Sequence, residues 1–424
     1  MYISIKNSLA SFLVFLTIIS VNQWSSFPIG NTYTNWIIYF TITIFFINGI
    51  KYYYDSNNSK RLLFVKLYLF WIIICSIRGI FEAENYWDFK NLIQSSFALL
   101  IAISVFIFTN PEVIKAILSK WLFYALPLFF IFVFFLETDS FGYYLIPISF
   151  FALFLPFLSK KSKILVLIIS LFVILIDFDA RSNVIKFIVP ILFSFLFYYK
   201  RLVNFKLLKI IFMTCFAVPF VFLFLSITNI FNIFHIDDYI KGDYTEKKIV
   251  SGQEQVLNLK ADTRTGLYQE VIISAIKNKY VLIGRTPSRG NDSEAFGIYL
   301  AEELNTNRYE RYSNEVAILN IFTWTGIIGV VLYFFVFFRA VYFAIYKSNN
   351  FFIKVIGLYV TFRWIYAWVE DFNRFDIMNI VLWIFIAICY SEQFRSMSDH
   401  DFKEWLGTIF NKSQNIKIKK WKND

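Results

Sequence analysis

The residues of this chain that could do chemistry are arginines and carboxylates, and they fall in four short groups. Asp179-Ala180-Arg181-Ser182 lies between two apolar runs. Arg264 opens a stretch in which Tyr268, Ile272, Ala275 and Ile276 share one helical face, and Arg285 follows beside Gly284 in a turn closed by Pro287. Asn314 and Glu315 are the last polar residues before a long apolar run that contains Gly326 and Gly329. The fourth group is Glu370-Asp371-Phe372-Asn373-Arg374, which follows Arg363 inside an apolar run. Fixed guanidinium groups grip phosphate and stabilise charge that develops on it. A carboxylate beside them can take a proton from a hydroxyl. Together these types point to chemistry on a phosphate ester without a metal.

Each group also has a plainer reading. Asp179 and Arg181 can close a tight turn as an ion pair. Arg264, with Asp262 or Thr263 as helix cap, falls in a first helical turn, where its charge opposes the helix dipole by roughly 0.5 kcal/mol. A bound anion would relieve that opposition; reaching solvent or Glu270 would also do so. Glu315 is simply favourable at a helix start, and the Glu370 group can pair internally. Other chemistry has no residues to carry it. His235 and His400 are the only histidines, and no HExxH, phosphate-binding lysine loop or GxSxG occurs. Asp237-Asp238 and Glu302-Glu303 are acid pairs without a third ligand. No metal or cofactor is expected.

The elements that must position these groups are membrane helices. Of 424 residues, 58% are hydrophobic, 54 are Phe and only 17% are charged, so lipid has to be part of the solvent. The spacing predicts about twelve spans. They lie near Ser8–Gln23, Trp36–Tyr53, Leu62–Phe81, Leu92–Thr109, Ala116–Leu136, Phe141–Leu158, Ile164–Phe178, Val184–Tyr199, Leu207–Phe234, Val316–Tyr346, Phe351–Val369 and Ile377–Gln393. The first lacks a small-residue cleavage site and reads as a retained helix. The fold expected is an all-α polytopic membrane protein. Residues 1–234 hold helices 1 to 9, 235–314 form one large loop with short amphipathic helices, 315–393 hold helices 10 to 12, and 394–424 are a basic amphipathic tail.

Charge sets the orientation. With both termini in the cytoplasm, the cytoplasmic connections carry Lys51, Lys60, Arg61, Lys115, Lys160, Lys161, Lys163, Lys200, Arg201, Lys206 and Lys347. The net charge of +11 is therefore a topology signal, and nucleic acid is not an expected partner. The outer face keeps few cations: Arg78, Lys90, Arg181, Lys186, those of the large loop, and Arg374. In the tail, Phe402, Trp405, Leu406, Ile409 and Phe410 share a face followed by lysines, which predicts a helix lying on anionic lipid. Cys75, Cys215 and Cys389 all sit in apolar runs and read as buried thiols.

The pattern resembles the O-antigen polymerase and O-antigen ligase superfamily of bacterial membrane glycosyltransferases. Asp179-Ala180-Arg181-Ser182 resembles that family's Arg-containing turn. Arg264, Leu267, Ile276 and Leu282-Ile283-Gly284 resemble its loop helix, with Tyr280-Val281 standing where the family has proline. Glu315, Leu319 and Gly326-Ile327-Ile328-Gly329 resemble its His-Asn helix start without the histidine. Counting back from Gly326 puts Glu315 at the histidine position, whereas matching the asparagine puts Ser313 there.

The resemblance implies transfer of a sugar from undecaprenyl diphosphate to an acceptor hydroxyl, at the periplasmic face of the bacterial inner membrane. Donor and acceptor would both be oligosaccharides linked to undecaprenyl diphosphate. Arg181 and Arg264 would stabilise the leaving diphosphate, and Glu315 would be the base. Arg285, Asp179, Arg374, Glu370 and Asn314 would bind substrate. Loss of the histidine favours a polymerase of lipid-linked repeat units over a ligase. A chain-length regulator and a flippase are the implied partners. The rival readings are a ligase delivering finished polysaccharide to an acceptor such as lipid A core, and a polysaccharide transporter or flippase. The large outer loop and the absence of inverted repeats speak against the last.

Overall fold

Asparagine starts five of the described helices. The side chains of Asn31, Asn85, Asn110, Asn204 and Asn350 each accept a hydrogen bond from a backbone N–H of the helix they precede, and Asp376 does the same. Each such cap contributes about 1 kcal/mol and fixes where an apolar run becomes helical. The computed structural model describes residues 2–176, 181–200, 203–228, 230, 245–250, 253–258, 264–294, 297–306 and 308–411.

The helices in order are α1 (Tyr2–Ile19), α2 (Thr32–Tyr53), α3 (Leu63–Glu82), α4 (Tyr86–Phe108) and α5 (Pro111–Phe135). Next come α6 (Phe141–Tyr144), α7 (Ile148–Ala152), α8 (Lys160–Ile176), α9 (Arg181–Ser194) and α10 (Phe205–Ile227). The loop region holds the antiparallel hairpin β1 (Thr245–Val250) and β2 (Gln253–Asn258), then α11 (Arg264–Lys277). It continues with β3 (Asn291–Asp292), α12 (Gly297–Leu304) and β4 (Glu310–Arg311), β3 and β4 pairing antiparallel. The chain closes with α13 (Ala317–Tyr346), α14 (Phe351–Tyr366), α15 (Ile377–Tyr390), α16 (Glu392–Ser396) and α17 (Asp399–Ile409).

The protein is an all-α membrane protein. Seven of the described helices are long and apolar enough to cross a bilayer: α1 to α5, α10 and α13. Where described, the predicted apolar runs fall on helical structure, but Phe141–Leu158 does not form one helix. It breaks at Pro147 and Pro156 into α6, α7 and a 3-10 turn, nearly all buried in protein. Proline has no N–H and clashes with the preceding turn, so a continuous helix cannot pass. In the loop, the hairpin of β1 and β2 stands where only helices were expected.

The bundle is organised around α15. All fourteen of its residues are buried, which is why its sequence is apolar all round. It runs about 21 Å between two polar layers at opposite ends of the bundle. One layer, at the tail end, joins Arg61 to Glu392 (2.5 and 3.0 Å), Lys200 to Asp399, and the Asn350 amide to Phe394 O and Met397 O (both 2.9 Å). Here α17 corrects the sequence expectation. Phe402, Trp405, Leu406 and Ile409 pack inside the protein against Phe150, Phe154, Phe352 and Phe394, so this face is not turned to lipid. The lysines beyond it lie outside the described residues.

The other layer is built on a broken helix. Gly326 interrupts α13 at φ 68°, ψ −172°, a region essentially only glycine occupies. The break frees backbone groups that lipid cannot satisfy. The loop supplies the partners: Ile327 N donates to Val281 O (2.9 Å) and Ile328 N to Leu282 O (3.3 Å). Conversely, Thr323 O accepts from Arg285 N (2.7 Å) and Thr325 O from the Trp71 indole (2.8 Å). The approach is so close that a Cβ on Gly284, itself at φ 74°, would lie 2.5 Å from Gly326 N, and one on Gly326 would lie 2.3 Å from Leu282 O. Beyond the break, Ile327–Tyr346 spans about 30 Å, one bilayer core.

Replacing Gly326 with alanine should therefore undock the loop. The Cys75 thiol packs 3.9 Å from Ile283 O and is buried. In a Cys215→Ala background, Gly326→Ala should raise the rate of Cys75 modification by a small thiol reagent at least tenfold. An unchanged rate would mean that this contact does not hold the loop.

Candidate functional site

The described parts of the loop between Lys277 and Glu315 are tied together by carboxylates, each serving several donors. Glu310, 6% exposed, takes Arg285 Nη2 (2.9 Å), Arg289 Nε (3.0 Å) and a second bond from Arg289. Asp292 takes Arg285 Nη1 (2.7 Å) and the Asn278 amide (2.9 Å). Burial pushes the Asp292 carboxyl up, but Asn278, Arg285 and Lys277 outweigh it and hold it below its usual range. Asp88, fully buried at the start of α4, receives Arg308 (2.9 Å) and Tyr312 OH (2.8 Å). Arg78 clamps Ile283 O (2.9 Å) and Gly284 O (3.2 Å), and the Asn91 amide holds Pro287 O (2.7 Å). Arg285 thus spends its guanidinium on Asp292, Glu310 and Gly290 O. Its position is a structural knot within the loop.

Arg264 is placed differently. It opens α11, which packs on the start of α13 through Leu267, Val271, Val316 and Leu319. Its Nε donates to Val369 O (2.9 Å) and its Nη2 lies 4.0 Å from Glu370 Oε2. One turn on, Tyr268 OH donates to Trp368 O (2.7 Å). The guanidinium thus lies at the carbonyl end of α14, where a cation is favoured, and this offsets its place at the start of its own helix. Glu270 turns instead to Ser293 Oγ (2.8 Å) and Glu294 N (2.9 Å).

Glu370 also faces Lys186 of α9, at 3.7 Å. The Lys186 side chain is fully buried; its Nζ lies 4.2 Å from the centre of the Tyr143 ring and donates to Ser182 Oγ (3.2 Å). Ser182 O accepts from Tyr366 OH (3.2 Å), which ties the start of α9, and with it Arg181, to the end of α14. Arg181 itself is exposed, and Asp179 lies outside the described residues. Arg363 completes the group from within α14. It is 3% exposed, 4.8 Å from the Phe372 ring, and its Nε and Nη2 have no hydrogen-bond partner among the described residues. Lys186 feels its charge as well as that of Glu370. Neither Lys186 nor Arg363 was singled out as a site residue from sequence. The available signal was an ionisable residue inside an apolar run, which marks function by default.

The start of α13 joins this layer. Ala317 N donates to Glu370 O (3.2 Å), and the Asn373 amide donates to Ala317 O (2.8 Å). Glu315, two residues earlier, is 57% exposed and pairs with Arg311 at 3.2 Å. Asn314 is buried and exchanges bonds with Asn320: its N–H donates to Asn320 Oδ1 (2.6 Å), and the Asn320 amide donates to Asn314 O (2.8 Å). The structure thus gathers Arg264, Glu370 and the starts of α9 and α13 at one end of the bundle, and sets Arg285 apart in the loop.

Across the Glu370–Asp376 segment lies a cavity of about 300 Å³. Asn35, Tyr39, Asn91, Gln94, Ser95, Trp324, Asp371, Arg374 and Asp376 are among the residues lining it. Arg374 stands over the Trp24 ring and 3.9 Å from Asp371. Burial raises the carboxyls of both Asp371 and Asp376. The Asp376 carboxyl is pushed up to about 6, although Asn379 N–H, Arg374 and Lys186 hold it back; Asp371 adds to the rise. Among the described residues, the metal-ligand grouping found is His400, Asp401 and Glu404 on α17, at the tail end, where Asp401 already closes a capping box with Ser398.

These features define a helical membrane protein with a buried, cation-rich polar layer at one end of its bundle. No protein-family model matches the chain, no curated protein is detectably similar to it, and no solved structure shares its fold detectably.

The raised Asp376 carboxyl has a definite sign. A carboxyl that binds its proton more tightly in the folded state stabilises the fold below about pH 4, and that stabilisation is lost as pH rises through about 6. Across that window the group should account for roughly 3 kcal/mol. Unfolding of wild type and Asp376→Asn in detergent, followed from pH 4 to pH 7, should show the variant with the flatter dependence. Parallel curves would remove Asp376 as the titrating group.

Proposed function

We propose that this chain is a membrane glycosyltransferase that polymerises oligosaccharide repeat units carried on undecaprenyl diphosphate. In this reading it has about twelve spans in the bacterial inner membrane, both termini lie in the cytoplasm, and the loop and site face the periplasm. The observation that carries the reading is the uncompensated cation at the site. Lys186 pairs with Glu370, and Arg363, whose charge Lys186 feels, has no ion-pair partner among the described residues. An unpaired buried guanidinium costs several kcal/mol, so its presence calls for an anion that arrives with the ligand. A diphosphate whose lipid tail lies between helices is such an anion.

The chemistry follows from the charges. The acceptor hydroxyl attacks the anomeric carbon of the donor sugar. The bond from that carbon to the diphosphate oxygen breaks, and its electron pair leaves on the diphosphate. Arg264 and Arg181, with Arg363 and Lys186 behind them, stabilise that growing charge without a metal. The acceptor's proton passes to a carboxylate; Glu315, at the start of α13, is the residue its place in the sequence favours. Polymerase is preferred over ligase because a carboxylate or Ser313, and no histidine, stands at this helix start.

The test is polymer length. In proteoliposomes supplied with a lipid-linked repeat unit, Arg264→Ala should lower chain extension about a hundredfold, the usual scale for losing one transition-state donor. Arg264→Lys should recover part of it, and Arg181→Ala should shorten the products. Unchanged ladders in correctly inserted Arg181→Ala and Arg264→Ala proteins would rule out this site.

A further inference from the structure

The cavity on the far side of Glu370–Asp376 has a chemistry unlike that of the cation cluster. Its polar lining is mostly amides and hydroxyls, with two carboxylates against one guanidinium. Two of the amides are uncommitted. Gln94 makes no side-chain hydrogen bond, and the buried Oδ1 of Asn35 has no partner, among the described residues. Asn91 and Ser95 hold one another (3.2 Å), and Asn91 also holds the loop at Pro287, so they are fixed donors and acceptors. Tyr39 and Phe375, ring centroids 4.5 Å apart, and Trp324 supply apolar faces. A set of neutral hydrogen-bonding groups interleaved with aromatic faces suits a ligand with hydroxyls on its rim and C–H groups on its face. At about 300 Å³ the cavity is at the small end of ligand pockets, enough for one ring and not for a chain. Asp371 and Asp376 set against Arg374 repel an anion.

We propose that this cavity binds a single neutral or N-acetylated pyranose ring, with Gln94 and Arg374 donating to its oxygens and Asn35 Oδ1, Asp371 and Asp376 accepting from its hydroxyls. Resting on the function proposed above, the ring is the terminal sugar of the acceptor. The Glu370–Asp376 segment then divides the site, with phosphate on the side of Lys186 and Arg264 and sugar on the side of Arg374. Selectivity against acidic sugars is built into the divider.

Binding is measured on the full chain in lipid nanodiscs by saturation-transfer NMR. The ligands are methyl glycosides of glucose, galactose, mannose, rhamnose, N-acetylglucosamine, N-acetylgalactosamine and glucuronic acid. At least one neutral or N-acetylated glycoside should saturate in the millimolar range, more tightly than the glucuronide. Gln94→Leu and Asn35→Leu, which remove uncommitted amides, should each weaken it at least tenfold while leaving thermal stability unchanged. Absence of saturation by every neutral glycoside, tightest binding by the glucuronide, or undiminished binding in both variants would overturn the proposal. Binding that persists in a protein unable to extend lipid-linked units would keep the sugar site and sink the polymerase reading. Extension that is normal in both leucine variants would do the reverse.

Discussion

Two glycine backbones in contact, Gly284 from the loop and Gly326 from α13, set the shape of the site end of this protein. The contact exists because a helix broken at membrane depth must recover its hydrogen bonds from protein, and the turn at Val281–Arg285 supplies them. Once that segment is fixed, further bonds fasten the described residues that follow it. Arg78 reads its carbonyls, Asn91 holds Pro287, and Arg308 and Tyr312 fasten the returning chain to Asp88. The same break releases Ala317–Thr325 from spanning the bilayer. That short stretch, buried almost throughout, becomes the shelf on which α11 and the Glu370–Asp376 segment rest.

Charge at this end is arranged by how completely each guanidinium is matched. Arg285 and Arg289 share Glu310, and Arg285 and Lys277 share Asp292, so each guanidinium of the knot has a carboxylate. Such saturated pairs rigidify and leave nothing over for a ligand. The cluster around Glu370 is the opposite case. Glu370 pairs with Lys186, and Arg363 lies against aromatic rings with no ion-pair partner among the described residues. Desolvation makes that imbalance costly when empty and strongly attractive to an anion. The distinction between the arginines therefore lies in partners, which spacing alone does not reveal.

That is also the boundary of what the sequence made legible. Apolar periodicity located the helices, because lipid demands long apolar runs, and the loop's place between helices followed from its polarity. Arg264 at the head of its helix was visible for the same local reason. Arg285 and Arg264 looked alike in sequence; Glu310 and Asp292, which separate them, are tertiary neighbours with no local pattern. The tail helix carried an amphipathic signature that fits a lipid surface and a protein groove equally well, and only the aromatic slot formed by Phe150, Phe154 and Phe352 decides between them. Lys186 and Arg363 were legible as charges in apolar runs, but which cations converge depends on α9 and α14 ending side by side, fixed by the bond from Tyr366 to Ser182 O.

The Glu370–Asp376 segment draws these constraints together. It is short, it links the end of α14 to the cap of α15, and it has two sides: Glu370 faces the buried cations, whereas Asp371, Arg374 and Asp376 line the cavity. Both its ends are pinned, one by Arg264 and Tyr268 on the Val369 and Trp368 carbonyls just before it, the other by the Asp376 cap and the bond from Ile377 N to Ser20 Oγ (3.2 Å). A strip pinned at both ends cannot slide, so two chemically different ligand groups would meet it at a fixed separation. Fixed separation of a leaving group and an attacking hydroxyl is itself a source of rate, because the entropy of bringing them together has already been lost on binding. On the function proposed, a segment fixed in this way would hold the two substrates at a set distance, and a loop free to move would not.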